Sequence, residues 1–395
     1  MLGLPSIPAS SLRPRDPRRG AALTLTFAAV VAVGAVTGCW DREDTAVAAV
    51  RTGTPAPAAT RTAGTADREA VARAAAEAVA EGKSGKKAAQ EVVSRSGDRW
   101  GTVYDQGEYA AFAEGLDGHW TGVGVWAVRA GDGAIRVDTV QPGGPADRAG
   151  LRAGDRLLSV DGHAVTGLAV GDVVALLRGA AGTPVVLNLN RDGAALTETV
   201  LRQQLQTEAV TVRRLAGDVT VIKVSSFTRG SGERVRAAVR AAPAGGGVML
   251  DLRGNRGGLV DEAVAAASAF LDGGLVATYD VRGEQRVLNA APGGDTVRPL
   301  VALVDGGTMS AAELVTGALQ DRGRAVAVGS RTFGKGSVQM PTALPDGSVA
   351  ELTVGTYRTP AGRSLDGSGI TPDVPAGDRA EERAVTVLGG LGVGP

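Results

Sequence analysis

The chain has 395 residues, room for two or three domains, and its 42 basic and 42 acidic residues leave no net charge. That balance gives no global reason to expect nucleic acid or acidic substrates as partners. Aromatics are only 3% of the chain, so a core must rest on Val, Leu, Ala and Ile, and the one cysteine, Cys39, excludes an intramolecular disulfide.

Arg13, Arg15, Arg18 and Arg19 precede an apolar run from Ala21 to Val36, which reads as a targeting segment. The run ends Val36-Thr37-Gly38-Cys39, which resembles a bacterial lipoprotein processing site. The resemblance implies a signal peptide over 1–38, lipid on Cys39, and a chain tethered to the extracytoplasmic face of the cell membrane. An uncleaved anchor helix and a simple secretory signal are the alternatives, and Arg18-Arg19 also fits twin-arginine export. Residues 39–66, rich in Thr, Ala, Pro and Gly, read as a flexible tether. Ala-rich helical patterns run from Asp67 to Ser94, broken at Gly82 to Gly85, giving an N-terminal helical region over 67–113.

The stretch 114–206 reads as a small β-domain. Gly122-Val123-Gly124-Val125 has the glycines that let backbone N–H groups approach a peptide's terminal carboxylate. Pro145 to Gly150 reads as a short helix, and Leu157 to Val160 followed by Asp161-Gly162 as a strand and hairpin turn. Val170, Val173, Val174 and Leu177 share one helix face. The pattern resembles a PDZ domain, whose peptide would lie between that helix and the Val125 to Val128 strand. A β-domain with no ligand is the bland alternative.

From 207 to 380 strand and helix alternate. Val219 to Val224 and Val248 to Leu252 read as strands with a helix through Val235 and Val239 between them. Gly257-Gly258 precedes another helix carrying Val264 and Leu271, and a hairpin is expected at Asp346-Gly347. Such alternation predicts an α/β domain with a largely parallel sheet, followed by a tail over 381–395. The strand Leu300 to Val304 ends in Asp305-Gly306-Gly307, and Ser310 stands where the next helix should begin. There the orphan N–H groups and the positive helix end could stabilise an oxyanion if Ser310 attacked a carbonyl. Ser310-x-x-Glu313 is equally a capping box, a purely structural device.

Lysine usage bears on that choice. The chain has 37 arginines and five lysines, yet Lys335 stands between two glycines, with Gln339 four residues on. Arginine cannot give up its proton in a protein, whereas a buried lysine can become a neutral base. A lysine kept for surface charge is the alternative. Of the two histidines, His163 follows a turn signal and His119 lies in the same distant half of the chain, so Lys335 is the best base available to Ser310.

Several motifs then agree in order. Ser310-Ala311-Ala312-Glu313, Gly329-x-Arg331-Thr332-x-Gly334-Lys335-Gly336-Ser337-Val338-Gln339, Asp251-Leu252-Arg253-Gly254-Asn255-x-Gly257-Gly258, Tyr357-x-Thr359-Pro360 and Gly369-Ile370-Thr371-Pro372-Asp373 together resemble the carboxyl-terminal processing (tail-specific) serine peptidases. Gly97-Asp98-Arg99-Trp100 departs from the Asp-Pro-His-Ser-like turn that relatives often carry there. The resemblance implies a crotonase/ClpP-like α/β peptidase core with an inserted PDZ domain and an N-terminal helical region. It implies Ser310 as nucleophile, Lys335 as base, Gln339 holding the lysine, and an oxyanion hole from Gly257 and Ala311. It implies Gly122, Val123, Gly124 and Val125 for substrate tails, with no metal and no organic cofactor. Expected partners are protein substrates with free apolar C-termini; in some relatives, regulatory proteins or a homodimer join them. A catalytically silent PDZ scaffold and a ligand carrier on the same core are readings from other classes.

Overall fold

The computed structural model describes residues 64–281 and 284–393. Residues 1–63, including Cys39 and the targeting and tether segments, lie outside the described residues.

Among the described residues the central sheet has six strands, in the order Val210–Arg214, Thr220–Val224, Val248–Asp251, Leu300–Val304, Val326–Gly329 and Val374–Pro375. The first pairs antiparallel and all the others pair parallel, as the strand–helix alternation predicts. Successive strand residues face opposite sides, so both faces must be covered. Leu250 and Leu300 face a core shared with the helices Ser231–Ala241, Val260–Ser268 and Ala311–Asp321. Met249, Val301 and Leu303 face the helix Ala380–Gly390 through Ala384 and Leu388. The sequence reading left that last helix within a tail; its buried Ala380, Ala384 and Leu388 make it the second cover of the sheet.

A second sheet builds on the long strand Val349–Arg358, which pairs with Ser337–Ala343 across the hairpin at Asp346-Gly347. The same strand pairs with Leu275–Val281 and, at its other end, with Thr102–Tyr104. That last pairing brings the N-terminal region onto the core. The helices Arg68–Ala80 and Gly85–Ser96, capped by Asp67 and Ser84, bury Val71, Ala75, Ala89 and Val93 against Ala350 and Leu352 of the long strand.

The β-domain has its own core, with Ile135, Leu157, Val173, Leu177, Val185, Leu187 and Val200 buried together. Its sheet runs Val125–Arg129, Ile135–Val140, Arg156–Val160, Pro184–Arg191, Ala194–Leu201, with the helix Val170–Leu177 against it. The chain enters through the strand His119–Gly122 and leaves through Gln203–Gln206, and these two pair antiparallel as a ribbon. Thr121 and the Gln204 amide both donate to the Glu114 carboxylate, at 2.8 and 3.0 Å, fastening the ribbon to the helix Gln106–Leu116.

Candidate active site

The strand Leu300–Val304 delivers the chain to a turn at 305–309 that is stitched to the turn after Val248–Asp251. Asp305 Oδ1 accepts the Gly254 and Gly307 N–H groups at 2.8 and 2.9 Å, Thr308 Oγ1 donates to the Leu252 carbonyl at 2.9 Å, and Met309 N–H donates to the Asn255 carbonyl at 2.8 Å. Two parallel neighbours in the sheet thus end in one fused loop, the usual place for a site on an open α/β sheet.

Ser310 follows, at φ 58° and ψ −120°, in a left-handed conformation that a side chain adopts at a cost of roughly 1–3 kcal/mol. The strained turn from strand to helix lifts a serine oxygen away from its own helix, as in the nucleophile elbows of other hydrolases. Here Ser310 Oγ is buried and has no hydrogen-bond partner. Glu313 makes its half of the capping box, Oε2 accepting the Ser310 N–H at 2.9 Å, while the Glu313 N–H goes to the Ser310 backbone carbonyl at 2.8 Å. The structural role of Glu313 and a chemical role for Ser310 are therefore compatible, because the cap is closed without using the hydroxyl.

Glu313 does more than cap. It is fully buried, and its Oε2 also accepts the Lys335 N–H at 2.8 Å. Oε1 takes the Gly334 N–H at 2.8 Å and the Thr332 hydroxyl at 2.5 Å. Burial pushes this carboxyl up, against the pull of the four hydrogen bonds. The Thr332 oxygen in turn accepts the Ile370 N–H at 2.6 Å, which explains the Gly369-Ile370-Thr371-Pro372-Asp373 motif as the brace behind the lysine loop. Asp373 completes the brace by accepting the Ala327 N–H at 2.7 Å and the Gln320 amide at 2.8 Å.

Lys335 is fully buried, with its amine 4.9 Å from the centre of the Trp100 ring. Burial lowers it to about 8, against the upward pull of Glu351, Asp98, Asp366 and Glu313. The flanking glycine at 336 is a packing requirement, since a Cβ there would stand 2.4 Å from the Asp366 N–H nitrogen. Gln339 is also fully buried; its Nε2 donates to Ser337 Oγ at 2.8 Å and Thr353 Oγ1 at 3.2 Å, and its Oε1 has no hydrogen-bond partner. Thr353 gives its hydroxyl to Asp98 at 2.6 Å, and Asp98 also accepts the Trp100 N–H at 3.1 Å. The turn that departs from the expected pattern is thus wired to the lysine by its own chemistry.

Gly257 lies against the serine: a Cβ on it would be 3.0 Å from Ser310 Cβ and 3.2 Å from the Ala311 nitrogen. Its N–H donates to Asn255 Oδ1 at 2.8 Å. Among the described residues no acceptor is found for the N–H groups of Ala311, first in its helix, and of Gly258. In the β-domain, Gly122 ends its strand, Val123 is buried, Gly124 sits at φ +84° and Val125 opens the next strand. The conformation of Gly124 alone calls for glycine, whether or not a peptide docks there. His163 is exposed and His119 half-buried in the ribbon. Among the described residues no cluster of ligating side chains could hold a metal.

Sequence reasoning did not place Asp98, Trp100 or Thr353 in the site, and named Thr332 and Gly258 only as motif positions. The irregular Gly97-to-Trp100 turn was the signal for the first two, and it states no contact.

The family model described as Peptidase family S41 matches residues 218–376, and that of the PDZ domain matches 136–191. The carboxy-terminal-processing protease of Bartonella bacilliformis is 37% identical over 241 residues, covering 58% of this chain and 55% of that one. Carboxy-terminal processing protease CtpA of Bacillus subtilis is 33% identical over 284 residues, covering 71% and 61%. The chain thus spans little more than half the length of these relatives. The solved photosystem II D1 C-terminal processing protease is similar with a TM-score of 0.50 and 31% identity, over 77% of this chain and 86% of that one.

The shared carboxylate generates a stability test. Glu313→Gln would turn an amide NH₂ toward donors that now meet a carboxylate oxygen, so we expect a loss of about 3 kcal/mol. The shift in urea midpoint at unchanged slope measures it, and a midpoint equal to that of the parent would mean that Glu313 does not hold the two loops together.

Proposed function

The chain belongs to peptidase family S41, and from that premise we propose that it is a serine endopeptidase of Ser-Lys type that finds its substrates by their C-termini. One observation carries the reading: a single carboxylate oxygen, Glu313 Oε2, holds the backbones of both Ser310 and Lys335 while Ser310 Oγ is left without a partner.

In this reading Ser310 Oγ attacks the scissile carbonyl carbon and its proton passes to the neutral Lys335 amine. Nearby acidic groups notwithstanding, burial makes that neutral form accessible. The oxyanion is received by the Ala311 N–H and a second donor from the Gly257-Gly258 turn. The Lys335 ammonium then protonates the leaving amine nitrogen, the C–N bond breaks, and an acyl ester remains on Ser310. Water, deprotonated by Lys335, hydrolyses it. Gln339 orients the lysine amine, a role supported by its burial beside Thr353 and its uncommitted Oε1.

The PDZ domain reads substrate tails, a reading supported by the helix Val170–Leu177 lying beside the strand Val125–Arg129. Tail binding gates the site if it favours the open arrangement over the closed one. Localisation follows from sequence alone: Val36-Thr37-Gly38-Cys39 supports export with a lipid anchor at Cys39, on the extracytoplasmic face of the membrane.

Ser310→Ala and Lys335→Arg should each fold and lose about 10³-fold or more in kcat/KM, because the pair acts as a unit and a guanidinium stays protonated. Cleavage near the parental rate by either purified variant would remove the assignment.

Peptides with a free apolar C-terminus should be cut about tenfold faster or more than the same peptides amidated, a preference that a difference of ~1.4 kcal/mol supplies. Because Gly124 is conformationally required, the comparison rests on the peptide pair and not on a glycine variant. Equal kcat/KM for both peptides would show that the tail is not read.

Cys39→Ser should abolish lipid attachment. Mass spectrometry of the mature N-terminus checks it, and an unmodified Cys39 inside an intact N-terminal segment would favour an anchor helix.

A further inference from the structure

Along Val349–Arg358, Ala350 and Leu352 turn toward the N-terminal helices, which leaves Glu351 on the opposite face. It is fully buried, and neither carboxylate oxygen has a hydrogen-bond donor. A carboxylate in that condition is costly, so it must either hold a proton or be compensated by a nearby cation. Its neighbour on the same face is Thr353, which carries Gln339 and Asp98, and the strand register sets Glu351 opposite Pro341 and Thr353 opposite Gln339. Glu351 is thus built into the wall of the lysine pocket, yet the reaction scheme above gives it no task.

We propose that Glu351 is a positioning residue that shares a single proton with Lys335 and thereby sets the pH at which the lysine acts as a base. This rests on Lys335 being the base of the reaction.

The electrostatics of the pocket fit. Among the carboxylates that act on the Lys335 amine, Glu351 is the strongest, ahead of Asp98, Asp366 and Glu313, and Lys335 is the cation that acts on Glu351. From the other side Tyr104 and Tyr109 face the same carboxylate and are pushed up by it and by burial. Lys86, on the helix Gly85–Ser96, is paired with Asp105 and Glu108. Burial lowers Lys335 and raises Glu351, and each charge opposes the other's shift, so the protonation of one depends on that of the other.

With one proton between them, the pair exists as amine plus carboxylic acid or as ammonium plus carboxylate. The first form has a competent base. When Ser310 transfers its proton to Lys335, the pair holds two protons for that step, one on the ammonium and one on the Glu351 acid. The proton on the lysine then goes to the leaving amine.

The sign is fixed: a negative Glu351 favours the ammonium, so removing it should lower the lysine further. Only five lysines are present, which makes Lys335 accessible to ¹³Cε-lysine NMR, its signal identified by Lys335→Arg. On the Ser310→Ala protein we expect Glu351→Gln to move the Lys335 midpoint down by roughly one unit, leaving Lys223 unmoved. In the active protein the acid limb of kcat/KM should move the same way with KM unchanged. An unchanged Lys335 midpoint overturns the proposal. Where Glu351→Gln fails to fold, carboxyl-¹³C glutamate labelling of the parent decides: one glutamate carbon titrating in step with Lys335 supports it, and none doing so overturns it. The NMR readout does not depend on cleavage, so a failure of the peptidase reading, seen as activity in Lys335→Arg, is distinguishable from a failure here.

Discussion

One carboxylate holds the site together. Glu313 accepts four hydrogen bonds from two segments of chain: the serine at the start of its own helix, and Thr332, Gly334 and Lys335 from a loop some twenty residues on. Four donors converging in a water-free pocket are each worth more than at the surface, and losing one leaves a partner stranded. The serine and lysine backbones are therefore fixed to a common point, and neither can drift without breaking a buried charge-assisted bond. The side chains are left for chemistry because the main chain does the anchoring.

Around that point the structure carries strain on one side and close packing on the other. Ser310 is held in a conformation that a free chain avoids, and the stitching of the 252–258 and 305–309 turns by Asp305 and Thr308 supplies the over-determination that keeps it there. Opposite, the lysine is walled by the Trp100 face, the 365–369 loop and the long strand, so that its amine is dry. Dryness is what moves a lysine toward neutrality, and the aromatic face and acidic neighbours limit how far.

The strand and helix order of the core was legible because fully apolar runs such as Val248 to Leu252 and Leu300 to Val304 alternate with helical periodicities. Ser310, Lys335 and Gln339 were legible as residue types in telling places. What the sequence could not display was which side of a strand a residue takes when both sides are buried. Glu351, within Val349-Ala350-Glu351-Leu352, takes the face opposite Ala350 and Leu352, and that face is buried as well. The direction of an N–H is equally invisible: that the Gly257 N–H points at Asn255 Oδ1 is stated by no motif. The capping box and the nucleophile were read as rivals, although the cap leaves the hydroxyl untouched.

The ribbon at the base of the PDZ domain has a consequence for how the chain assembles. Gly118 carbonyl and Thr207 N–H are bonded at 2.8 Å, so the whole inserted module begins and ends at one spot on the core. To the core, an unfolded module is a long slack loop whose ends must be brought together against chain entropy, whereas a folded one presents those ends already joined. The module acts as a clasp: once it folds, the chain leaving the helix Gln106–Leu116 and the chain entering the strand Val210–Arg214 are held together by connectivity, and the peptidase half is relieved of closing that gap itself.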